Sequence, residues 1–397
     1  MGSQDRPSRL ALVVHTFGIG GLERFVARLS NHIDRTRFTP HLVCLATSGE
    51  ASQWLSKEDV SIVELSKRSG NDWRAVTRLT KLLRSLQIDI VQSHNWGTLL
   101  ETVVARQLAR VPVHVHAERG TVGSDIDLRG FRRVIRSWAM RSAFRHVDQI
   151  LAVSRSVAER VQLAGGVAAS KIRTIENGVD TPAVGQKDMM RYAARRSLGL
   201  HENDFLVGSV GRLVKVKGFE CAIAAMARLS NAERRVHFAI IGDGPERTSL
   251  ESFAATLGIR DVVHFVGHQD NVGKWLVAFD LYLNSSVSEG MSQSVLEAMA
   301  VGLPLVVTDV GANAQLAGGE VQCGQVVPPS DPATMAAAIQ NLSLQPESLA
   351  KMAETAKRRH ANEFSVDRMV KEYESLYRNL VVQHRERFPF CRQGQPA

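Results

Sequence analysis

Glu289 and Glu297 stand eight residues apart in Ser288-Glu289-Gly290-Met291-Ser292-Gln293-Ser294-Val295-Leu296-Glu297-Ala298-Met299-Ala300. The first precedes an apolar-periodic run and the second lies inside it, so the pattern predicts a loop and then a helix. Upstream, Phe279-Asp280-Leu281-Tyr282-Leu283-Asn284 alternates as a strand does. In a parallel α/β sheet such a strand-loop-helix junction lies at the carboxyl end of the strand, where ligands bind. Backbone amides of Gly290, Met291, Ser292 and Gln293 at a helix start attract phosphate oxygens. Glu297, expected about two turns into the helix, is too far along to share that phosphate; it suits a pair of vicinal hydroxyls such as a ribose diol. Taken alone, the two carboxylates read more simply as solvated helix charges.

A second segment weighs against that plain reading. Ser209-Val210-Gly211-Arg212-Leu213-Val214-Lys215-Val216-Lys217-Gly218-Phe219 follows the strand-like Phe205 to Gly208. Arg212, with its planar fork, and Lys217, a point charge, suit a doubly charged group. Near the start, Leu10 to Val14 leads into Gly18-Ile19-Gly20-Gly21-Leu22-Glu23 and a helix with Phe25, Leu29 and Ile33 on one face. A glycine-rich turn of this kind admits close approach of an anion. The dinucleotide fingerprint needs a third glycine where this chain has Glu23, and Gly242-Asp243-Gly244 runs on to Arg247 instead of glycine, so a nicotinamide enzyme is disfavoured.

Five blocks in this order resemble the retaining glycosyltransferases of family 4, the glycosyl transferases group 1: Gly18 to Glu23, Glu176-Asn177-Gly178-Val179-Asp180, Gly211-Arg212 through Lys217-Gly218, Gly242-Asp243-Gly244-Pro245-Glu246-Arg247, and Glu289 through Glu297. The resemblance covers nearly all of the chain and implies the GT-B fold, two doubly wound parallel-sheet Rossmann-like domains facing across a cleft. It implies transfer of a hexosyl group from a UDP- or GDP-linked sugar to a saccharide or lipid-linked acceptor in cell-surface polysaccharide or glycolipid assembly. Configuration is retained, and neither metal nor other cofactor takes part. By the same resemblance Arg212, Lys217 and Glu289 are catalytic, Glu289 touching the donor sugar. Gly20 and Gly21 meet the sugar-bearing end of the diphosphate, Gly290, Met291 and Ser292 hold it, Val266 and His268 line the base, and Glu297 anchors the ribose. Gly242 to Pro245 shapes a turn.

On the acceptor side, His94 and His116 follow strands and are expected to face one cleft. The family often shows His-Thr-Glu-His-Gly where this chain has His116-Ala117-Glu118-Arg119-Gly120. Arg119 replaces the later histidine with a permanent cation that accepts no proton. The mechanism usually written for the family lets the leaving phosphate take the acceptor's proton, so a histidine base is dispensable and Arg119 is free to steady phosphate. Two other readings stay open: an epimerase of the same architecture, and a non-catalytic nucleotide-sugar-binding partner subunit.

These sites need scaffolds. A chain of 397 residues exceeds one ordinary core. Strand-like runs alternate with helical patterns at Leu10 to Val14, His41 to Leu45, Ile88 to Gln92, Val111 to Val115 and Gln149 to Val153. A second series runs Phe205 to Val210, His237 to Ile241, Val262 to Val266, Leu281 to Asn284 and Leu303 to Thr308. We expect an acceptor-side domain over 1–178, a donor domain over 179–364, and a crossover helix and tail over 365–397, the helix ending near Val381. No run approaches the roughly 18 apolar residues that span a bilayer, and Met1 to Arg9 carries no signal-peptide core, so a cytoplasmic protein is expected.

Cys44, Cys221, Cys323 and Cys391 are scattered, without the spacing of a zinc site or a disulfide framework. Asp125-Ile126-Asp127 resembles a cation-binding tripeptide, but it adjoins the most basic stretch of the chain and is not expected to hold metal. Lys and Arg against Asp and Glu number 26 and 16 through Gly178, or +10, and 23 and 24 beyond it, or −1. Six arginines and no acid fall within 128–145, together with Phe131, Val134, Ile135 and Trp138 at helical spacing. That segment suits an anionic membrane surface, which would place the protein peripherally on the inner face of the cytoplasmic membrane. It suits equally an amphipathic helix packed on its own domain. No nucleic-acid module accompanies the charge.

Overall fold

Leu10, Leu12 and Val14 on one face, and Ala11 and Val13 on the other, are all shut away from solvent. The strand β1 (Ser8–Val14) is therefore buried on both sides, as the middle of a parallel sheet covered by helices must be. In the computed structural model, which describes residues 6–55, 60–70, 72–120, 131–182, 185–229, 235–318 and 322–387, two such sheets form.

The first runs β3-β2-β1-β4-β5-β6-β7, with β2 Phe38–Cys44, β3 Ser61–Glu64, β4 Ile90–His94, β5 Val113–Glu118, β6 Gln149–Ala152 and β7 Ile172–Thr174. The second runs β10-β9-β8-β11-β12-β13, with β8 Phe205–Val210, β9 Val236–Ile241, β10 Val263–Gly267, β11 Leu281–Asn284, β12 Leu305–Thr308 and β13 Gly324–Val327. All strand pairs are parallel. Each order reverses once, between β1 and β4 in the first sheet and between β8 and β11 in the second. Loops leaving the carboxyl ends of such a pair diverge to opposite faces and open a crevice.

All ten expected strands are present, with ends displaced by up to three residues. Three further strands, β3, β7 and β13, were not foreseen, and each is the outermost strand of its sheet. A strand with one neighbour is partly wet; in Ser61–Glu64 Val63 is half-buried and the other three are exposed, so no apolar alternation marks it.

The chain divides after Gly178 into one unit of Met1–Gly178 with Val366–Ala397 and another of Val179–Ser365. The helix Val366–Arg387, which ends six residues beyond the expected Val381, inserts Met369, Val370, Tyr373, Leu376 and Tyr377 into the apolar layer of the first unit, beside Phe25, Phe38 and Val115. Burying each of these large side chains contributes about 1.5–3 kcal/mol. The opposite face of the same sheet packs Val13, Val43 and Val91 against Leu79 and Leu83 of the helix Trp73–Ser85. In the second unit Val207, Phe238, Ile240 and Val306 meet Ile223 and Ile339 of flanking helices. Cys44 and Cys323 are buried thiols whose pKa burial raises; Cys391 lies outside the described residues.

Candidate active site

Lys217 and Glu289 arrive on the loops after β8 and β11, the two strands that flank the reversal of the second sheet, and they meet there. Lys217 Nζ donates to Glu289 Oε1 at 2.6 Å, and the same oxygen accepts from Ser286 Oγ at 2.8 Å. The two charged side chains are 24% and 12% exposed. An ammonium has three donors, so Lys217 keeps N–H groups for a phosphate oxygen. Glu289 Oε2 accepts from no described residue.

The backbone leaves Lys217 little choice of direction. Lys215–Lys217 is one tight helical turn ended by Gly218 at φ +63°, a left-handed conformation that glycine adopts without cost. A Cβ at Gly218 would stand 2.1 Å from the Ser285 carbonyl oxygen. Ser285 Oγ donates to Lys217 O at 2.9 Å and the Val287 amide to Val216 O at 2.9 Å, stitching the two loops together. Beneath them lies a polar floor. Thr308 Oγ1 donates to Ser286 O at 2.6 Å, and Asn313 Nδ2 donates to Asn284 Oδ1 at 3.0 Å and to Thr308 O at 3.1 Å. Asn284 Nδ2 reaches Ser292 Oγ at 3.4 Å.

Of these floor residues only Ser292 was foreseen as part of the site; the signal available for the others was the abrupt change from the apolar β11 to Asn284-Ser285-Ser286. Tyr282, also unforeseen, is buried with its hydroxyl donating to Val210 O at 3.3 Å, and burial raises its pKa.

Arg212 is exposed, with no ion pair among the described residues. Its loop is braced from behind: the Leu213 amide donates to Asp243 O at 2.9 Å and the Glu246 amide to Leu213 O at 3.1 Å. Gly242 fits because a Cβ there would lie 2.0 Å from Gly211 O. The Gly242 to Pro245 block thus supports the loop that carries Arg212. Gly290, Met291 and Ser292 are buried and lead into the helix Gln293–Val301, whose cap residue Ser292 makes no side-chain capping bond. Glu297 is buried on that helix. It lies about 6 Å, one turn, from the first helical residue and not two. Val266 is half-buried in β10, and His268 is exposed just beyond it, 3.5 Å from Asp270.

In the first unit Gly20 caps and Gly21 starts the helix Gly21–His32. The Glu23 carboxylate folds back over Gly20, its Oε2 only 2.4 Å from where a Cβ would be.

His94 and His116 do not face one way. Register pairs Ser93 with His116 and His94 with Ala117. Paired residues of a ladder share a face and successive residues alternate, so the two rings lie on opposite faces of the sheet. Both also lie within strands, not after them. His94 Nδ1 donates to Val13 O at 3.0 Å and Nε2 is 2.9 Å from Gln92 Nε2; burial and then the Arg119 cation push its pKa down to about 3. His116 is held between Ser93 Oγ at 2.8 Å and Glu118 Oε2 at 3.2 Å, against the Phe144 ring. Buried and engaged at both nitrogens, these rings are structural.

Arg119 also departs from expectation. Its guanidinium lies on the Phe25 ring, Nη1 donating to Asn177 Oδ1 at 2.7 Å and Nη2 to the Tyr373 hydroxyl at 2.6 Å. The cation fastens the terminal helix to the first sheet, so both of its terminal nitrogens already donate within the first unit. Among the described residues no three His, Cys, Asp or Glu side chains gather as metal ligands. Asp125 and Asp127 lie outside the described residues.

Residues 19–182 match the family model described as Glycosyltransferase Family 4, and residues 190–359 match that described as Glycosyl transferases group 1. The chain is 28% identical over 305 residues to 2-deoxystreptamine glucosyltransferase of Streptomyces kanamyceticus, covering 74% of this chain and 78% of that protein. It is 26% identical over 318 residues to UDP-Gal:alpha-D-GlcNAc-diphosphoundecaprenol alpha-1,3-galactosyltransferase of Escherichia coli, covering 78% and 80%. In fold it is similar to Anabaena HepE, solved in complex with UDP and glucose, with a TM-score of 0.79 at 20% identity over 92% of this chain and 98% of that one.

Proposed function

The chain belongs to the glycosyl transferases group 1 of glycosyltransferase family 4 and has the GT-B fold, and on that premise we propose that it moves a hexosyl group from a UDP- or GDP-linked sugar to a saccharide or lipid-linked acceptor, with retained configuration and without a metal. The observation that carries this reading is the Lys217–Glu289 pair at the reversal of the second sheet. As the bond from the anomeric carbon to the bridging phosphate oxygen breaks, negative charge grows on that oxygen. Lys217 and Arg212 stabilise the departing diphosphate more than the intact donor, which lowers the barrier. The acceptor oxygen bonds to the anomeric carbon on the face just vacated, and its proton passes to the leaving phosphate. Glu289 steadies Lys217 through one oxygen and takes a sugar hydroxyl on the other; Glu297 accepts from the ribose diol.

The activities of the relatives support this class. One is a glucosyltransferase, one uses UDP-Gal on a diphosphoundecaprenol-linked sugar, and HepE holds UDP with glucose. We place the reaction in assembly of cell-surface polysaccharide or glycolipid.

Titration calorimetry with UDP, GDP, ADP and their hexose conjugates tests donor binding. NMR of the product anomeric proton, after turnover of the bound donor against a panel of sugars and polyprenyl-linked sugars, tests retention. One conjugate should bind, and its product should keep the donor's configuration in excess EDTA. An inverted product, activity that returns only with manganese, or no sugar nucleotide bound at all overturns the proposal.

A further inference from the structure

The helix Phe131–Arg145 turns its apolar stripe outward. Val134, Ile135 and Trp138 are 63%, 50% and 72% exposed, and the same arc continues through exposed Arg141 and Arg145. Its opposite side is the packed one, with Ala143 and Phe144 buried and Arg136 stacked 4.9 Å over the Trp96 ring. The self-packed amphipathic helix weighed from the sequence is therefore not what forms. The neighbouring helix Arg155–Gly165 also exposes a large apolar side chain, Leu163.

A patch of large apolar side chains rimmed by charge marks an interaction surface. The charge is one-sided: no acid occurs in 128–145 against six arginines, and the chain through Gly178 carries +10. Tryptophan and isoleucine beside arginines match an interface that is apolar below and anionic above, as the headgroup region of a bilayer is. We propose that this face docks onto an anionic lipid bilayer, Trp138, Ile135 and Val134 entering the headgroup boundary while Arg141 and Arg145 pair with lipid phosphates. Only the use of such docking, bringing a lipid-linked acceptor within reach, depends on the transferase reading; the docking depends on the helix surface.

The test is sedimentation of the full chain with vesicles of phosphatidylglycerol and phosphatidylethanolamine, against vesicles of phosphatidylcholine alone. The wild type should sediment with the first and not the second, and salt should release it. Ile135→Ser with Trp138→Ser should weaken partition about tenfold or more, and Arg141→Gln or Arg145→Gln about fivefold each. Brominated phosphatidylglycerol should quench the wild type more than Trp138→Phe, a comparison that survives should the serine variant fold poorly. Absent sedimentation, equal binding to both vesicle types, or quenching unchanged in Trp138→Phe would overturn the assignment. So would a wild-type dimer in analytical ultracentrifugation that Ile135→Ser with Trp138→Ser converts to monomer, since a second copy would then be what covers this face.

Discussion

Arg119 lies with its guanidinium carbon 3.1 Å from the centroid of the Phe25 ring. A cation so placed, with two charge-assisted bonds to Asn177 and Tyr373, is a fastening between the first sheet and the terminal helix. Arg119→Met should lower the unfolding free energy in urea by about 2–4 kcal/mol, because the ring loses its cation and two buried oxygens lose their donor. Nucleotide binding by calorimetry should be unchanged. Unaltered stability with lost turnover would instead return Arg119 to the chemistry.

Lys217 and Glu297 should fail in different ways. Lys217→Ala removes a donor to the departing phosphate and should cut kcat by about 10²–10³, with KM for the sugar nucleotide nearly constant. Glu297→Gln removes a ground-state anchor and should raise KM while sparing kcat. Steady-state kinetics on the donor identified by calorimetry separates them.

Gly218→Ala should be severe for a residue so small. The new Cβ would meet Ser285 O in a backbone conformation that costs an L-residue about 1–2 kcal/mol before any clash. The two loops should part, lowering Tm and abolishing turnover together. A variant with normal Tm and normal kcat would show that the stitching is dispensable.

Acid should destabilise the first unit through His94. Its pKa falls from 6.5 to about 3 on burial, so between those values the unfolded chain binds a proton that the folded chain refuses. Stability is then full above pH 6.5 and drops by about 1.4 kcal/mol per pH unit below it. His114, lowered in the same direction by burial, adds to the slope. Urea midpoints from pH 7 down to pH 5 should show the fall, shallower in His94→Gln; a flat profile would contradict it.

What was legible in the sequence follows from how much each residue's neighbours matter. β1, β8 and β11 are apolar on both faces and announce themselves, whereas the edge strands β3, β7 and β13 do not. Lys217 and Glu289 were visible one at a time as charges after strands. That they bond to each other depends on β8 and β11 lying side by side, which no spacing along the chain encodes. His94 and His116 were misplaced for a related reason, since facing is decided by ladder register between β4 and β5. Arg119 was read as a site residue because its partner Tyr373 lies 254 positions away.

The return of Val366–Arg387 to the first sheet also orders biogenesis. Sequence Val179–Ser365 is contiguous, so the second unit has all of its parts while the ribosome is still adding the last helix. The first unit, begun earlier, waits with Phe25 and Phe38 uncovered until Met369, Tyr373 and Tyr377 emerge. The first unit is thus completed after the second, and a nascent chain stalled before Val366 carries one finished unit and one with an open, aggregation-prone flank.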